Sequence, residues 1–101
     1  MTDLKKLQKE IYANKLVQKF NTKDVPLEFC LIHDELTEAF RAWRKKLPDL
    51  GEELADVVIY LFGLAEMLKI DLGHEVVKKV GKNKKREYRR IKGVLVRTRE
   101  A

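Results

Sequence analysis

Apolar residues recur every three or four positions along most of the chain, which is the spacing of one face of an α-helix. The first 20 residues follow this spacing and predict a helix over residues 2–20. A second helix is expected to begin with Pro26 in its opening turn and Asp24 as its cap, and to continue to about Lys46. Its apolar positions are Phe29, Ile32, Leu36, Ala39, Phe40 and Trp43.

The second half of the chain predicts two more helices. One runs from about Gly51 to Lys69, and the next follows the candidate cap Asp71 and reaches about Tyr88. The connectors are short and favour antiparallel neighbours, so residues 1–101 are expected to form one all-α four-helix bundle domain with its core in 25–90. Residues 91–101 have no assigned role, and residues 94–96 are expected to form a short strand or an ordered tail.

The third helix is apolar on nearly every side. Between residues 57 and 68 only Glu66 is charged. At about 100° per residue, Ile59 and Phe62 lie away from the side that carries Glu53 and Leu64. A single domain of this size would have difficulty covering both sides, so we expect a homodimer or homotetramer built on this helix.

Composition narrows the class of protein. Hydrophobic residues make up 45% and charged residues 38% of the 101 residues, a profile typical of a soluble helical protein. A single cysteine, Cys30, excludes an internal disulfide, and the longest apolar run, residues 57–65, is too short to cross a bilayer. No signal sequence is recognisable at the N-terminus, so the expected location is cytoplasmic, without a membrane.

The net charge of +6 is unevenly distributed. Residues 78–99 contain eleven of the 22 basic side chains and a single acid, Glu87. Such a segment suits nucleic acid, a phosphorylated small molecule or an acidic partner, and it also serves solubility.

Two pairs of acids stand out because each pair is spaced by three residues on a predicted helix. These are Glu35 with Glu38, and Glu53 with Asp56. Residues three apart share a helix face, and both pairs border the apolar faces, where uncompensated carboxylates are costly. Four carboxylates without a nearby histidine suit Mg²⁺, with Mn²⁺ or Ca²⁺ as alternatives, better than zinc.

The fourth helix offers a complementary stripe. Lys79, Asn83 and Arg86 fall on one face, which is apolar at its start and cationic at its end. A stripe that is merely exposed to solvent explains these three residues as well as a stripe that binds anions. Acids that bind a metal together with bases that bind anions are what a metal-bound polyphosphate requires.

The order of these motifs resembles the MazG-like, all-α nucleoside triphosphate pyrophosphohydrolases. The resemblance covers about residues 25–90 and rests on three segments: residues 31–39 (LIHDELTEA), residues 52–61 (EELADVVIYL), and Lys79 with Asn83. It implies a dimer or tetramer that binds Mg²⁺ and cleaves a nucleotide between its α and β phosphates, giving a nucleoside monophosphate and pyrophosphate. By position it makes Glu35, Glu38, Glu53 and Asp56 catalytic metal ligands. It makes Lys79 and Asn83 contacts to the phosphates or to metal-bound groups, with Arg86 extending that stripe.

The chain departs from the family pattern at one position. The family usually writes its first motif EExxE, whereas Asp34 stands here at the leading position. Trp43 is a candidate for stacking on a base, although its place on the apolar face favours core packing.

Two alternatives remain from the sequence. One is a basic helical module that binds nucleic acid through residues 78–99, which explains the charge but not the inward acids. The other is a di-metal carboxylate bundle of different chemistry, which expects Glu-x-x-His motifs that the chain lacks.

Overall fold

A computed structural model describes residues 3–99. The chain is mostly helical, as the apolar spacing predicted, and a small two-stranded sheet follows the helices. The elements are α1 (Leu4–Val17), α2 (Val25–Arg44), α3 (Leu50–Met67), α4 (Leu72–Lys85), β1 (Glu87–Ile91) and β2 (Val94–Arg99).

Aspartate side chains cap the starts of three helices. The carboxylates of Asp3, Asp24 and Asp71 each accept a hydrogen bond from the backbone N–H three residues later, at 3.0 to 3.1 Å. Each bond satisfies one of the donors that a helix leaves free at its first turn. The two caps predicted from the sequence, Asp24 and Asp71, are therefore confirmed.

Lysines close the other ends of α1, α2 and α3. Lys19, Lys46 and Lys69 adopt left-handed backbone conformations, with φ of 58°, 55° and 57°. In each case the next residue's N–H bonds back to a carbonyl of the last helical turn, as Leu47 does to Ala42 at 2.9 Å. This is the Schellman termination that glycine usually provides.

The prediction that the fourth helix reaches Tyr88 is wrong. The helix ends at Lys85, Arg86 is extended (φ −73°, ψ 145°), and Tyr88 lies in β1. Strands β1 and β2 pair antiparallel through a two-residue turn, in which Lys92 and Gly93 have φ of 52° and 81°. Such left-handed pairs form the turns that match strand twist, so residues 94–96 lie in a strand.

Helix α3 lies between α1 and α2, and α4 packs on α1. The buried apolar residues are Ala39, Ala42, Phe62, Leu64 and Ala65. The chain itself buries both Phe62 and Leu64, so it covers more of α3 than the sequence suggested. Ile59, in contrast, is 44% exposed.

A buried glutamine joins α1 to the junction between α3 and α4. Gln8 is 3% exposed, and its Nε2 donates to Glu66 Oε1 at 3.0 Å and to the Ile70 carbonyl at 2.7 Å. Its Oε1 accepts from the Leu72 N–H at 3.2 Å. Lys9 adds an ion pair with Glu66 Oε2 at 2.6 Å. The three segments are thereby tied together by polar contacts rather than by a large apolar core.

Much apolar surface remains uncovered by the chain. Large apolar side chains of α2 and α3 that are at least 44% exposed include Phe29, Leu36, Phe40, Trp43, Leu54, Val58 and Ile59. Within residues 3–99, no helix has the length and continuous apolar sequence needed to cross a membrane.

Candidate metal and phosphate site

Three carboxylates from two helices converge at one place on the groove between α2 and α3. Glu35 of α2 and Glu53 and Asp56 of α3 each offer an oxygen, and these oxygens lie within 4.8 Å of one another. Glu35 and Glu53 are half-buried and Asp56 is exposed. We call these three residues the acid cluster.

The antiparallel packing of α2 and α3 brings these acids together. Glu53 and Asp56 lie one turn apart on the same face of α3, and Glu35 faces them from α2. The oxygen donors and their grouping suit a hard divalent cation such as Mg²⁺.

The acids of the cluster disfavour one another's ionised form. The pKa of Glu35 is raised, first by burial and then by the charges of Asp56 and Glu53. The pKa of Glu53 is also raised by burial, followed by the charges of Asp49 and Asp56. A bound cation would reverse this by favouring the charged carboxylates.

Glu38 lies outside the acid cluster, although the sequence grouped it with the other three. Its side chain is 50% exposed and accepts a hydrogen bond from Arg41 Nη1 at 2.9 Å. Its charge nevertheless raises the pKa of both Glu35 and Glu53. Glu38 is therefore at the edge of the site, one helical turn from Glu35.

The stripe predicted on α4 is formed in part. Arg86 Nη1 donates to Asn83 Oδ1 at 2.8 Å, and Lys79 is exposed. Helix α4 packs against α1, whereas the acids lie on α2 and α3. Across residues 3–99, no hydrogen bond or ion pair that we observe joins this stripe to the acid cluster.

Trp43 is 62% exposed, so the core position expected for it is not provided by this chain. Its ring stacks on Phe40 with centroids 6.0 Å apart, and Arg44 lies 5.8 Å from the Phe40 centroid on α2. An exposed aromatic pair of this kind leaves a flat surface for another ring or another chain.

A second polar group, which the sequence did not reveal, is buried between α1 and α2. Lys15 Nζ of α1 forms an ion pair with Glu28 Oε1 of α2 at 3.0 Å, and the two side chains are 9% and 1% exposed. Asn21 Nδ2 also donates to Glu28 Oε1, at 3.3 Å. Lys15 lies among other lysines in sequence and Glu28 in an ordinary first helical turn, so only the helix packing reveals the pair.

Tyr60 lies between the buried pair and the acid cluster. Lys15 Nζ is 5.8 Å from the centre of the Tyr60 ring. The pKa of Tyr60 is raised by burial and then by the charges of Glu35, Glu28 and Asp56. The two polar groups are therefore neighbours along the α2 and α3 groove.

Comparisons of the chain with protein-family models, with curated proteins and with solved structures found no match.

Proposed function

We propose that the protein is a Mg²⁺-dependent nucleotide pyrophosphohydrolase that cleaves a nucleoside triphosphate, or a related nucleotide, between its α and β phosphates. The observation that carries the proposal is the acid cluster, in which oxygens of Glu35, Glu53 and Asp56 lie within 4.8 Å. The order of motifs that resembles the MazG-like family supports the reaction type.

The donor set fits Mg²⁺, with Mn²⁺ as the alternative. All three groups are carboxylates, and no histidine belongs to the cluster within the described residues. Mg²⁺ is commonly held by one or two carboxylates, water and substrate phosphates, and it neutralises phosphate charge and lowers the pKa of a bound water. Asp56 is exposed and leaves one side of the cluster open for phosphates.

The chain's own residues have distinct tasks in this proposal. Glu35, Glu53 and Asp56 would hold the cation, and Glu38, at the edge of the cluster, would serve as a fourth carboxylate ligand. Lys79 and Asn83 bind phosphate oxygens, with Arg86 holding Asn83 in position through the hydrogen bond at 2.8 Å. Because α4 packs on α1, the binding of phosphate by Lys79 and Asn83 at the acid cluster requires either a shift of α4 or a second copy of the chain that supplies these residues.

A homodimer or homotetramer belongs to the proposal. The exposed apolar residues of α2 and α3 offer the surface for it, and Trp43, which is 62% exposed, is available to stack on a partner chain. We propose a cytoplasmic enzyme without a membrane partner.

The test is pyrophosphate release over a panel of ribo- and deoxynucleoside triphosphates with Mg²⁺, repeated with a chelator. Each variant removes one negative charge: Glu53→Gln within the cluster, Glu38→Gln at its edge, and Glu52→Gln as an exposed control on the same helix. We expect Glu53→Gln to lower kcat/KM by at least about 100-fold, Glu38→Gln by less, and Glu52→Gln hardly at all.

Three results would each refute the proposal. These are no turnover of any nucleotide by the folded wild type, full activity in chelator, and full activity of Glu53→Gln. Salt-sensitive binding to duplex DNA without nucleotide turnover would instead favour the basic segment 78–99 as a nucleic-acid-binding surface.

A further inference from the structure

An open cavity of about 390 Å³ lies beside the acid cluster, in the size range of small-molecule pockets. Leu31 of α2 and Tyr60 of α3 both line it. Each lies four residues from a member of the acid cluster, Glu35 and Asp56 respectively. Four residues of helix correspond to about 6 Å along the axis, so the cavity and the acid cluster are adjacent.

The cavity walls are mainly apolar and include two aromatic rings. Phe20 and Tyr60 contribute these rings, and Ile11 and Ile59 contribute aliphatic surface. Aromatic and aliphatic walls with a few fixed polar groups are typical of pockets that take a flat heteroaromatic ligand.

The polar residues that line the cavity include the buried pair, Lys15 and Glu28, and the asparagine beside it, Asn21. Glu10 and Asn14 of α1 also line the cavity. Lys15 fits closely across α3 because position 63 is glycine, where a Cβ atom would lie 3.0 Å from Lys15 Cδ. The position of the ammonium group is thus set by packing.

One of the two carboxylate oxygens of Glu28 has no hydrogen-bond partner within the described residues. Oε1 accepts from Lys15 and Asn21, whereas Oε2 is buried and has no hydrogen-bond partner within residues 3–99. Buried acceptors are nearly always satisfied, and Glu28 is one of the residues that line the cavity, so a ligand donor that reaches this carboxylate would supply the partner that Oε2 lacks.

We propose that this cavity binds a nucleobase, with a base N–H donating to Glu28 Oε2 and a neighbouring base carbonyl accepting from the Lys15 ammonium. The ligand class is therefore a base that carries an N–H next to a carbonyl or ring acceptor, held between Phe20 and Tyr60. That this base belongs to the substrate rests on the proposed function, in which the acid cluster would engage the phosphates one helical turn away.

The experiment separates base binding from catalysis by using nucleosides, which have no phosphate, in the presence of a chelator. Saturation-transfer NMR and calorimetry measure binding of adenosine, guanosine, cytidine and uridine, with ribose as the ligand that lacks a base. For the nucleoside that binds best, a counterpart with its base N–H groups methylated is measured alongside. We expect saturable binding of at least one nucleoside, none of ribose, and about tenfold weaker binding of the methylated counterpart.

Three variants define the role of Glu28. Glu28→Gln removes the acceptor charge and is expected to weaken nucleoside binding about tenfold. Glu52→Gln is the matched control, since Glu52 is exposed and is not among the residues that line the cavity, and its binding should equal that of the wild type. The pair Lys15→Met with Glu28→Leu keeps the site packed without buried charge, so it is expected to fold and to lose selectivity among bases.

The outcomes distinguish this inference from the proposed function. Binding of no nucleoside by folded wild type, or equal binding by the wild type, Glu28→Gln and the double variant, overturns the base pocket even where triphosphates are hydrolysed. Nucleoside binding that depends on Glu28, without hydrolysis of any triphosphate, supports the pocket and refutes the proposed reaction.

Discussion

Replacing Gln8 tests whether the junction between α1, α3 and α4 depends on buried polar contacts. The side chain is 3% exposed and takes part in three hydrogen bonds, to Glu66, to the Ile70 carbonyl and to the Leu72 N–H. Gln8→Ala removes all three and leaves their partners without a replacement from the protein. Gln8→Met removes the same bonds while keeping most of the side-chain volume.

The expected loss can be estimated bond by bond. A neutral hydrogen bond contributes about 1 kcal/mol and a bond to a charged group about 1.5 to 3 kcal/mol, so the sum is about 4 kcal/mol. Water reaches part of the junction, since Ile70 is 42% exposed, and this reduces the loss to about 3 kcal/mol. For a chain of this length that corresponds to a Tm lower by about 12 to 24 °C.

Urea unfolding followed by circular dichroism at 222 nm, at one fixed protein concentration, measures the change. Gln18→Ala is the matched control, because Gln18 is exposed and, within residues 3–99, it is the backbone N–H of Gln18 that bonds to the end of α1. We expect Gln18→Ala to stay within about 0.5 kcal/mol of the wild type. A Gln8→Met protein as stable as the wild type would refute the reasoning, since the loss in Gln8→Ala would then reflect only missing volume.

Three further predictions concern ionisation, metal and helix ends. The pKa of Glu66 is lowered from its ordinary 4.5, first by hydrogen bonds from side chains of α1, so this carboxylate stabilises the fold above about pH 4.5 and loses that effect as pH falls through the lowered pKa. The urea midpoint of Glu66→Gln should therefore fall less steeply on acidification than that of the wild type, and equal slopes would contradict this. Mg²⁺ should raise the Tm of the wild type and of Glu52→Gln but not that of Glu53→Gln, and a Tm increase retained in Glu53→Gln would exclude the acid cluster as the metal site. Because the pKa of Glu35 is raised, the Tm increase caused by Mg²⁺ should grow as pH rises from about 4.5 towards neutral. Lys46 has a φ of 55°, so Lys46→Gly should stabilise the chain by about 0.5 to 1 kcal/mol in urea unfolding while Lys46→Ala should not, and equal effects would show that backbone strain is absent there.

The helices were predictable from the sequence because their determinants are local. The apolar spacing defines each buried face, and Asp24 and Asp71 mark two helix starts by bonds that span three residues. The lysine-rich end of α4 was misleading, since lysine is a good helix former. The hairpin that follows is determined by Ile91 and Val94 on either side of the Lys92-Gly93 turn.

The candidate site was predictable only in part. Angular position on a helix indicated that Glu35 and Glu38 both border the apolar face, about 60° apart. It does not tell which of the two α3 covers, and in the structure Glu35 is half-buried whereas Glu38 is 50% exposed. The Lys15 and Glu28 pair was not predictable, because it depends on how α1 and α2 both pack against α3 and on the absence of a side chain at Gly63. Such contacts arise from tertiary packing, which has no signature in local spacing.

The register between α2 and α3 connects the two proposed sites. Because these helices are antiparallel, one turn towards the start of α2 corresponds to one turn towards the end of α3. Glu35 and Asp56 meet in the acid cluster, and one turn further Leu31 and Tyr60 meet at the cavity. A single helix pair thus sets the distance between the carboxylates and the cavity, and a sugar spans a similar distance between the phosphates and the base of a nucleotide. A cation site alone would require only the acids, and an apolar pocket alone would not require the buried Glu28, so the proposed nucleotide substrate would account for both sites and for their spacing.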